Sequence, residues 1–215
     1  MKKITIVFLV ACVTLAAGCR WVGVRGNGHI KTDDRTISAF NEIDASGAFV
    51  ITWQSGPPAL RITTDENLLD YIESEVSGDT LRLRTREQIW PTHGINVIVV
   101  SPARTGARIR GAVKLTAKQL TGSKFALEAS GASRVWLDGS IDEFLADMTG
   151  ASQLTASGLQ TKTAEIATTG AGDAEIAVAE TLKVAITGAG KVTYWGNPPT
   201  IEKHITGAGS IHRKE

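Results

Sequence analysis

Phe125-Ala126-Leu127-Glu128-Ala129-Ser130-Gly131-Ala132-Ser133-Arg134-Val135-Trp136-Leu137 reads as two short alternating segments hinged on Gly131-Ala132. Phe125, Leu127 and Ala129 recur every second residue before the hinge, and Val135 and Leu137 after it, so each segment is a half-buried strand. The hinge itself recurs. Gly-Ala stands at 111, 131, 150, 170, 188 and 207, at intervals of 20, 19, 20, 18 and 19 residues. Such a period is the signature of a repeat architecture.

Aligning the copies on the glycine gives apolar columns. Four residues after it stand Leu115, Val135, Leu154, Ala174, Val192 and Ile211. Six after it stand Ala117, Leu137, Ala156, Ile176 and Tyr194, and then Arg213. Two before it stand Ile109, Ala129, Met148, Thr168, Ile186 and Ile205, and four before it Ala107, Leu127, Ala146, Ile166, Val184 and Lys203. Two strands are too few to enclose a core, but stacked coils share one. Each inward Leu, Ile or Phe stabilises such a stack by about 1.5–3 kcal/mol. No copy keeps a 3.6-residue period, and propeller blades need about twice this repeat length. The expected fold is all-β, a right-handed parallel β-solenoid with about 18–20 residues per coil. Gly111, Gly131, Gly150, Gly170, Gly188 and Gly207 are its corners, where positive φ and close stacking of main chains are needed.

Before the regular repeats, residues 35–105 predict less regular coils of the same domain. Gly47-Ala48 is followed by Phe49, Ile51 and Trp53 in the later copies' phase. Thr63 and Glu66 have the spacing of a capping box, which predicts at most a short helical turn near 65–70. Ile72 to Val76, then Ser77-Gly78-Asp79, then Leu81 and Leu83 predict a hairpin. Ile95, Val97 and Val99 predict a further strand. The solenoid is expected to span 35–211, with His212, Arg213, Lys214 and Glu215 as a charged tail that either guards the last edge or is simply solvated.

At the amino end, Lys2 and Lys3 precede an apolar stretch, Ile4 to Ala17, of signal-peptide length. It closes on Leu15-Ala16-Ala17-Gly18-Cys19, which resembles the lipobox of bacterial lipoproteins, although the favoured leucine stands one place early. That resemblance implies cleavage of residues 1–18 and lipidation of Cys19. Ordinary cleavage after Gly18 and a second box at Leu9-Val10-Ala11-Cys12 remain alternatives. Arg20 in place of Asp resembles the pattern of lipoproteins passed to the outer membrane. Residues 19–34, with Gly23, Gly26 and Gly28, read as a tether. Loss of Lys2 and Lys3 leaves 21 basic against 22 acidic residues, a net charge of −1, which gives no electrostatic footprint for nucleic acid. One cysteine remains after cleavage, so no disulfide forms within the mature chain.

A further set of motifs runs in order along the chain: Ala39-Phe40-Asn41-Glu42-Ile43, Ser46-Gly47, Asp65-Glu66-Asn67-Leu68-Leu69, Gly78-Asp79-Thr80-Leu81 and Gly94-Ile95-Asn96-Val97. With the glycine corners they resemble DUF2807, the "head GIN" domain, over residues 34–211. The resemblance implies a β-solenoid similar to the pectin-lyase fold, without its catalytic residues, and a role in adhesion by analogy. Where that family has Gly-Ser-Gly corners this chain has Gly-Ala-Ser or Gly-Ala-Gly, which removes the corner hydroxyl.

Chemistry-bearing residues are sparse. His29, His93, His204 and His212 are too scattered to suggest a metal site, and Gly170-Ala171-Gly172-Asp173 lacks the repeated aspartate of calcium-binding coils. No cofactor is expected. Three residues after the corner glycines, Lys114, Arg134, Asp173 and Lys191 form a mixed outward strip. Trp136, beside Arg134, either stacks on a sugar or partner surface or covers the flank of Phe144. These five residues are the candidate binding face. Expected partners are a membrane, through a lipid on Cys19, and an envelope glycan or protein. The expected function is that of a non-enzymatic, adhesin-like envelope lipoprotein. A carbohydrate-active enzyme of the β-helix type and a periplasm-facing scaffold are the alternatives.

Overall fold

Stacked on their glycines, the repeats form a β-solenoid of about five turns. The computed structural model describes residues 23–214; the expected export signal, Cys19 and Glu215 lie outside the described residues. The amino-terminal part contains β1 (Val24–Arg25), β2 (Ile30–Arg35), β3 (Glu42–Gly47), β4 (Phe49–Ser55), β5 (Ala59–Asp65), β6 (Ile72–Ser77), β7 (Thr80–Thr85), β8 (Ile89–Trp90) and β9 (Ile95–Ser101). The coils then follow as β10 (Gly106–Gly111), β11 (Lys114–Gly131), β12 (Arg134–Gly150), β13 (Gln153–Gly170), β14 (Asp173–Gly188), β15 (Lys191–Trp195), β16 (Thr200–Gly207) and β17 (Ser210–Lys214).

Every coil-to-coil pairing is parallel and in register on the corner glycine. Gly47 pairs with Gly111, and Gly131, Gly150, Gly170, Gly188 and Gly207 continue that ladder, so the first coil is β3 and β4. From Gly47 to Gly170 the corner glycine carbonyl accepts the N–H of the next coil's alanine: Ala132 donates to Gly111, Ala151 to Gly131 and Ala171 to Gly150, at 2.8–2.9 Å. This brings main chains so close that a Cβ on Gly150 would stand 2.7 Å from the Gly131 oxygen. Backbone proximity therefore dictates glycine there. At two corners the hydroxyl missing at the alanine is supplied one residue later. Buried Ser133 donates to the Ser130 carbonyl at 3.0 Å, and Ser152 to that of Thr149 at 3.3 Å.

The alternating columns point inward as their period requires, and Leu115, Val135, Leu154, Ala174 and Val192 are all buried. Near the first coils the filling is aromatic. Phe40 stacks on Trp53, Trp53 tilts against Phe125, and Phe125 stacks on Phe144, with centroids 6.2–6.4 Å apart. Trp53 satisfies its indole N–H on Ser101 Oγ at 2.8 Å. One column carries a flaw: Thr168 Oγ1 is buried without a hydrogen-bond partner.

Between the first and second coils the chain leaves the stack for residues 59–101 and closes its amino end. β7 and β9 continue the parallel ladder on β3 and β4, and β6 and β5 then pair with them antiparallel. The expected hairpin is β6–β7, and the expected helical turn is a 3-10 segment, Glu66–Tyr71. The capping box does not form. Asp65 is the N-cap residue and makes no capping bond, Glu66 instead pairs with Lys31, and Thr63 Oγ1 meets Thr32 Oγ1. The tether reading is also corrected over its described part. β1 pairs with β8, and β2 pairs antiparallel with β5. Asp65 pins this segment by accepting Gly28 N–H at 2.7 Å, together with the N–H and hydroxyl of Thr92 at 2.8 Å. Burial pushes the Asp65 carboxyl up, but those three donors outweigh it and hold its pKa below the usual range.

Residues 212–214 belong to β17, which pairs with β15, rather than to a tail, because the register simply continues with His212 opposite Thr193. No strand covers β16 or β17 among the described residues, and Ile201 and Ile205 are 42% and 39% exposed. Two inward positions of this last coil are basic: Lys203 follows Val184 in its ladder, and Arg213 follows Tyr194.

Candidate functional site

The strands leaving each Gly-Ala corner form one flank, and its ladders place the residues expected to bind. Lys114 pairs with Arg134, Arg134 with Gln153, Gln153 with Asp173, and Asp173 with Lys191. All five are exposed and span about 19 Å at the spacing of neighbouring strands. The four charged members thus fall into two neighbouring pairs separated by Gln153, whose amide accepts Arg134 Nε–H at 3.2 Å. Trp136 occupies the adjacent outward ladder, between Thr116 and Thr155, and is 39% exposed, whereas Phe144 is fully buried.

Beyond Thr116 and Trp136 the strands bend at a second corner, where the ladder slips between Ala117 and Leu120 and again between Trp136 and Asp138. The slip opens a groove of about 890 Å³ across β4, β11 and the start of β12. Gln54 and Gln119 present amides to it, Thr52, Ser55 and Thr116 present hydroxyls, and Lys118 and Asp138 carry one charge of each sign. The Asp138 carboxylate lies over Gly158, where a Cβ would come within 2.7 Å of its oxygen.

Arg104 holds the floor. It lies between β9 and β10, is 5% exposed, and donates to three main-chain carbonyls: Trp53 at 3.3 Å, Lys118 at 2.8 Å and Gln119 at 2.5 Å. Burial alone pulls its pKa below the ordinary arginine value. The guanidinium ties β4 to β11 at the bend and engages the carbonyl of Gln119, which sits at φ +54, the described chain's non-glycine residue in the left-handed region. Strain of this kind is retained where surrounding contacts over-determine it, and it gathers at binding sites.

The strands entering the corner form a different surface. Glu75, Arg82, Asp44, Arg108 and Glu128 follow one another across five strands with alternating charge. Arg108 grips Glu128 through two bonds of 2.5 and 2.7 Å, which lowers the Glu128 pKa, and Arg110 reaches Asp44 at 2.6 Å. Arg108, Arg110, Glu128 and Asp44 are thus paired with one another. Asp147, Ala167, Ala185 and His204 then continue the ladder with little charge. Among the described residues no group of three His, Cys, Asp or Glu could hold a metal ion.

None of the groove's lining residues was among those expected to bind, although Trp136 stands beside Thr116 in the ladder. Gln54 and Lys118 are far apart in the chain and meet only because the second coil stacks on the first, and the ladder slip takes Asp138 out of the repeat count. Outward alternation at Trp136 was the available signal.

Solved structures share this architecture. A "putative adhesin" from Bacteroides fragilis superposes with a TM-score of 0.75 at 21% identity, covering 89% of this chain and all of that one. A "putative lipid binding protein" from Parabacteroides distasonis gives 0.56 at 21% identity, over 89% of this chain and 99% of the other. A "putative adhesin" from Parabacteroides merdae gives 0.53 at 20%, over 90% and 99%. At such identities the likeness establishes the fold alone. No curated protein matches the chain in sequence. One family pattern matches residues 39–198, from ahead of β3 to just past β15, and the chain belongs to the DUF2807 family, described as "putative auto-transporter adhesin, head GIN domain".

Proposed function

We propose that this chain is a non-enzymatic envelope protein, anchored by a lipid on Cys19, that binds a glycan or a protein through the flank leaving the Gly-Ala corners. The observation that carries this reading is that flank's composition: a continuous exposed ladder from Lys114 to Lys191 beside a half-exposed Trp136. An outward indole among polar side chains is a recognition surface, because one face is apolar while its edge and neighbours hydrogen-bond. Membership in an adhesin-described family supports the same reading. Gly23 enters the fold at the capped end, against Gln88 and Trp90. An anchor on Cys19 would therefore hold the capped end near the membrane and leave the open last coil away from it.

The test is sidedness. A tag on the carboxyl end is followed while intact cells are shaved with protease, with permeabilised cells as the control. Loss of the tag from intact cells supports a surface adhesin. Protection until permeabilisation refutes surface adhesion and directs the search to periplasmic partners or peptidoglycan. Replacement of Cys19 by alanine is expected to release the protein from the membrane fraction.

A further inference from the structure

We propose that the groove at the second corner is a subsite for a neutral, hydroxyl-rich saccharide, with Trp136 as its stacking wall. The inference rests on the binding reading above and assigns it a place and a ligand class. Its lining is the first argument. Amides of Gln54 and Gln119 and hydroxyls of Thr52, Ser55 and Thr116 each both donate and accept, which matches sugar hydroxyls. Among the lining side chains Lys118 and Asp138 offset each other in charge, and the Arg104 guanidinium beneath them is turned to main-chain carbonyls. Nearby ion-paired surface behaves differently: on the strands entering the corner, Arg108, Arg110, Glu128 and Asp44 already satisfy each other.

Position is the second argument. Trp136 is not itself part of the lining, but it is the ladder neighbour of Thr116, stands two residues before Asp138 on the same strand and is exposed, which places it at the groove's edge. The C–H face of a pyranose covers such a ring while the sugar's hydroxyls reach the amides. The third argument is rigidity. Arg104 fastens both sides of the bend, and Gln119 is held in a left-handed conformation that a free loop would abandon. Donors fixed before binding lose less entropy on contact. At about 890 Å³ the groove lies in the size range of small-ligand sites and admits a short oligosaccharide.

The mature chain is titrated calorimetrically with tetrasaccharides of glucose, mannose, galactose and N-acetylglucosamine, and with tetragalacturonate as the charged comparison. At least one neutral sugar is expected to bind. Trp136→Ala and Asp138→Ala should each weaken it about tenfold or more, a change of about 1.4 kcal/mol. Gln119→Gly, which relieves the positive φ, should weaken binding while leaving the melting temperature unchanged or higher. Glu128→Gln, on the other flank, should leave affinity within twofold. The proposal is overturned if no neutral tetrasaccharide binds, if tetragalacturonate binds better, or if Trp136→Ala and Asp138→Ala leave affinity unchanged. Adhesion of the purified protein to whole cells is measured in parallel. Retained adhesion by the groove variants sinks this subsite alone, whereas absence of adhesion by the wild type sinks the broader reading.

Discussion

Gly150→Ala should cost about 2–5 kcal/mol. Gly150 lies at φ +88, where an L side chain costs about 1–2 kcal/mol. The new Cβ would also stand 2.7 Å from the Gly131 carbonyl oxygen. That oxygen cannot retreat, because it accepts the Ala151 N–H at 2.8 Å. Overpacking against fixed neighbours adds about 1–3 kcal/mol. Gly78→Ala is the matched control: it sits at φ +60 in the β6–β7 turn with nothing within 4 Å of a Cβ, so only the conformational cost of about 1–2 kcal/mol applies. Urea unfolding followed by far-ultraviolet circular dichroism gives both values. A gap of at least about 1 kcal/mol is expected between the two variants. Gly170→Ala, with its Cβ 2.6 Å from the Gly150 oxygen, should behave like Gly150→Ala. Equal costs for Gly150→Ala and Gly78→Ala would refute the argument that main-chain stacking, rather than turn geometry, dictates glycine at the corners.

Three further outcomes are expected. Thr168→Val removes the buried hydroxyl that lacks a partner while keeping the shape, so unfolding free energy should rise by about 1 kcal/mol. Asp65 has a depressed folded pKa, so its contribution is present above the unfolded value near 4 and is lost as the pH falls through the lower folded value. Urea midpoints measured from pH 7 to pH 2.5 should fall less steeply for Asp65→Asn than for wild type, although the variant starts lower at pH 7. Lys203→Val with Arg213→Tyr restores the apolar columns in the uncovered last coil. Sedimentation velocity should then show concentration-dependent association of the double variant, and a wholly monomeric species would argue that these charges do not protect the edge.

The solenoid was legible because one physical rule, alternation about a glycine, is repeated six times. Leu115 and Val135 could be placed inside, and Arg134 and Trp136 outside, before any coordinate was known. The cap was only partly legible. Its hairpin and helical turn are local and leave local signals, but the pairing of β2 with β5 depends on long-range bonds from Asp65 and Arg35. Gly23, Gly26 and Gly28 resembled a flexible linker for the same reason. The groove was not legible. Arg104 carries no sequence mark of burial, since what buries it is the convergence of carbonyls from Trp53, Lys118 and Gln119. Likewise the Ala-for-Ser exchange at the corners concealed that Ser133 and Ser152 return the hydroxyl from the inside.

The two ends of the ladder finish by different means, and this gives the molecule a direction of growth. At the amino end a folded excursion of antiparallel strands is interlocked with β3 and β4, so a coil inserted there would separate the cap from the surface it covers. In the last described coil Lys203 and Arg213 replace apolar column residues, and the corner glycines before them stack in one register. An additional segment of one period placed ahead of the last coil would meet a glycine ladder on both sides. Reach away from the capped end is therefore adjustable in steps of one strand spacing, about 4.8 Å each, with the groove and the cap left untouched.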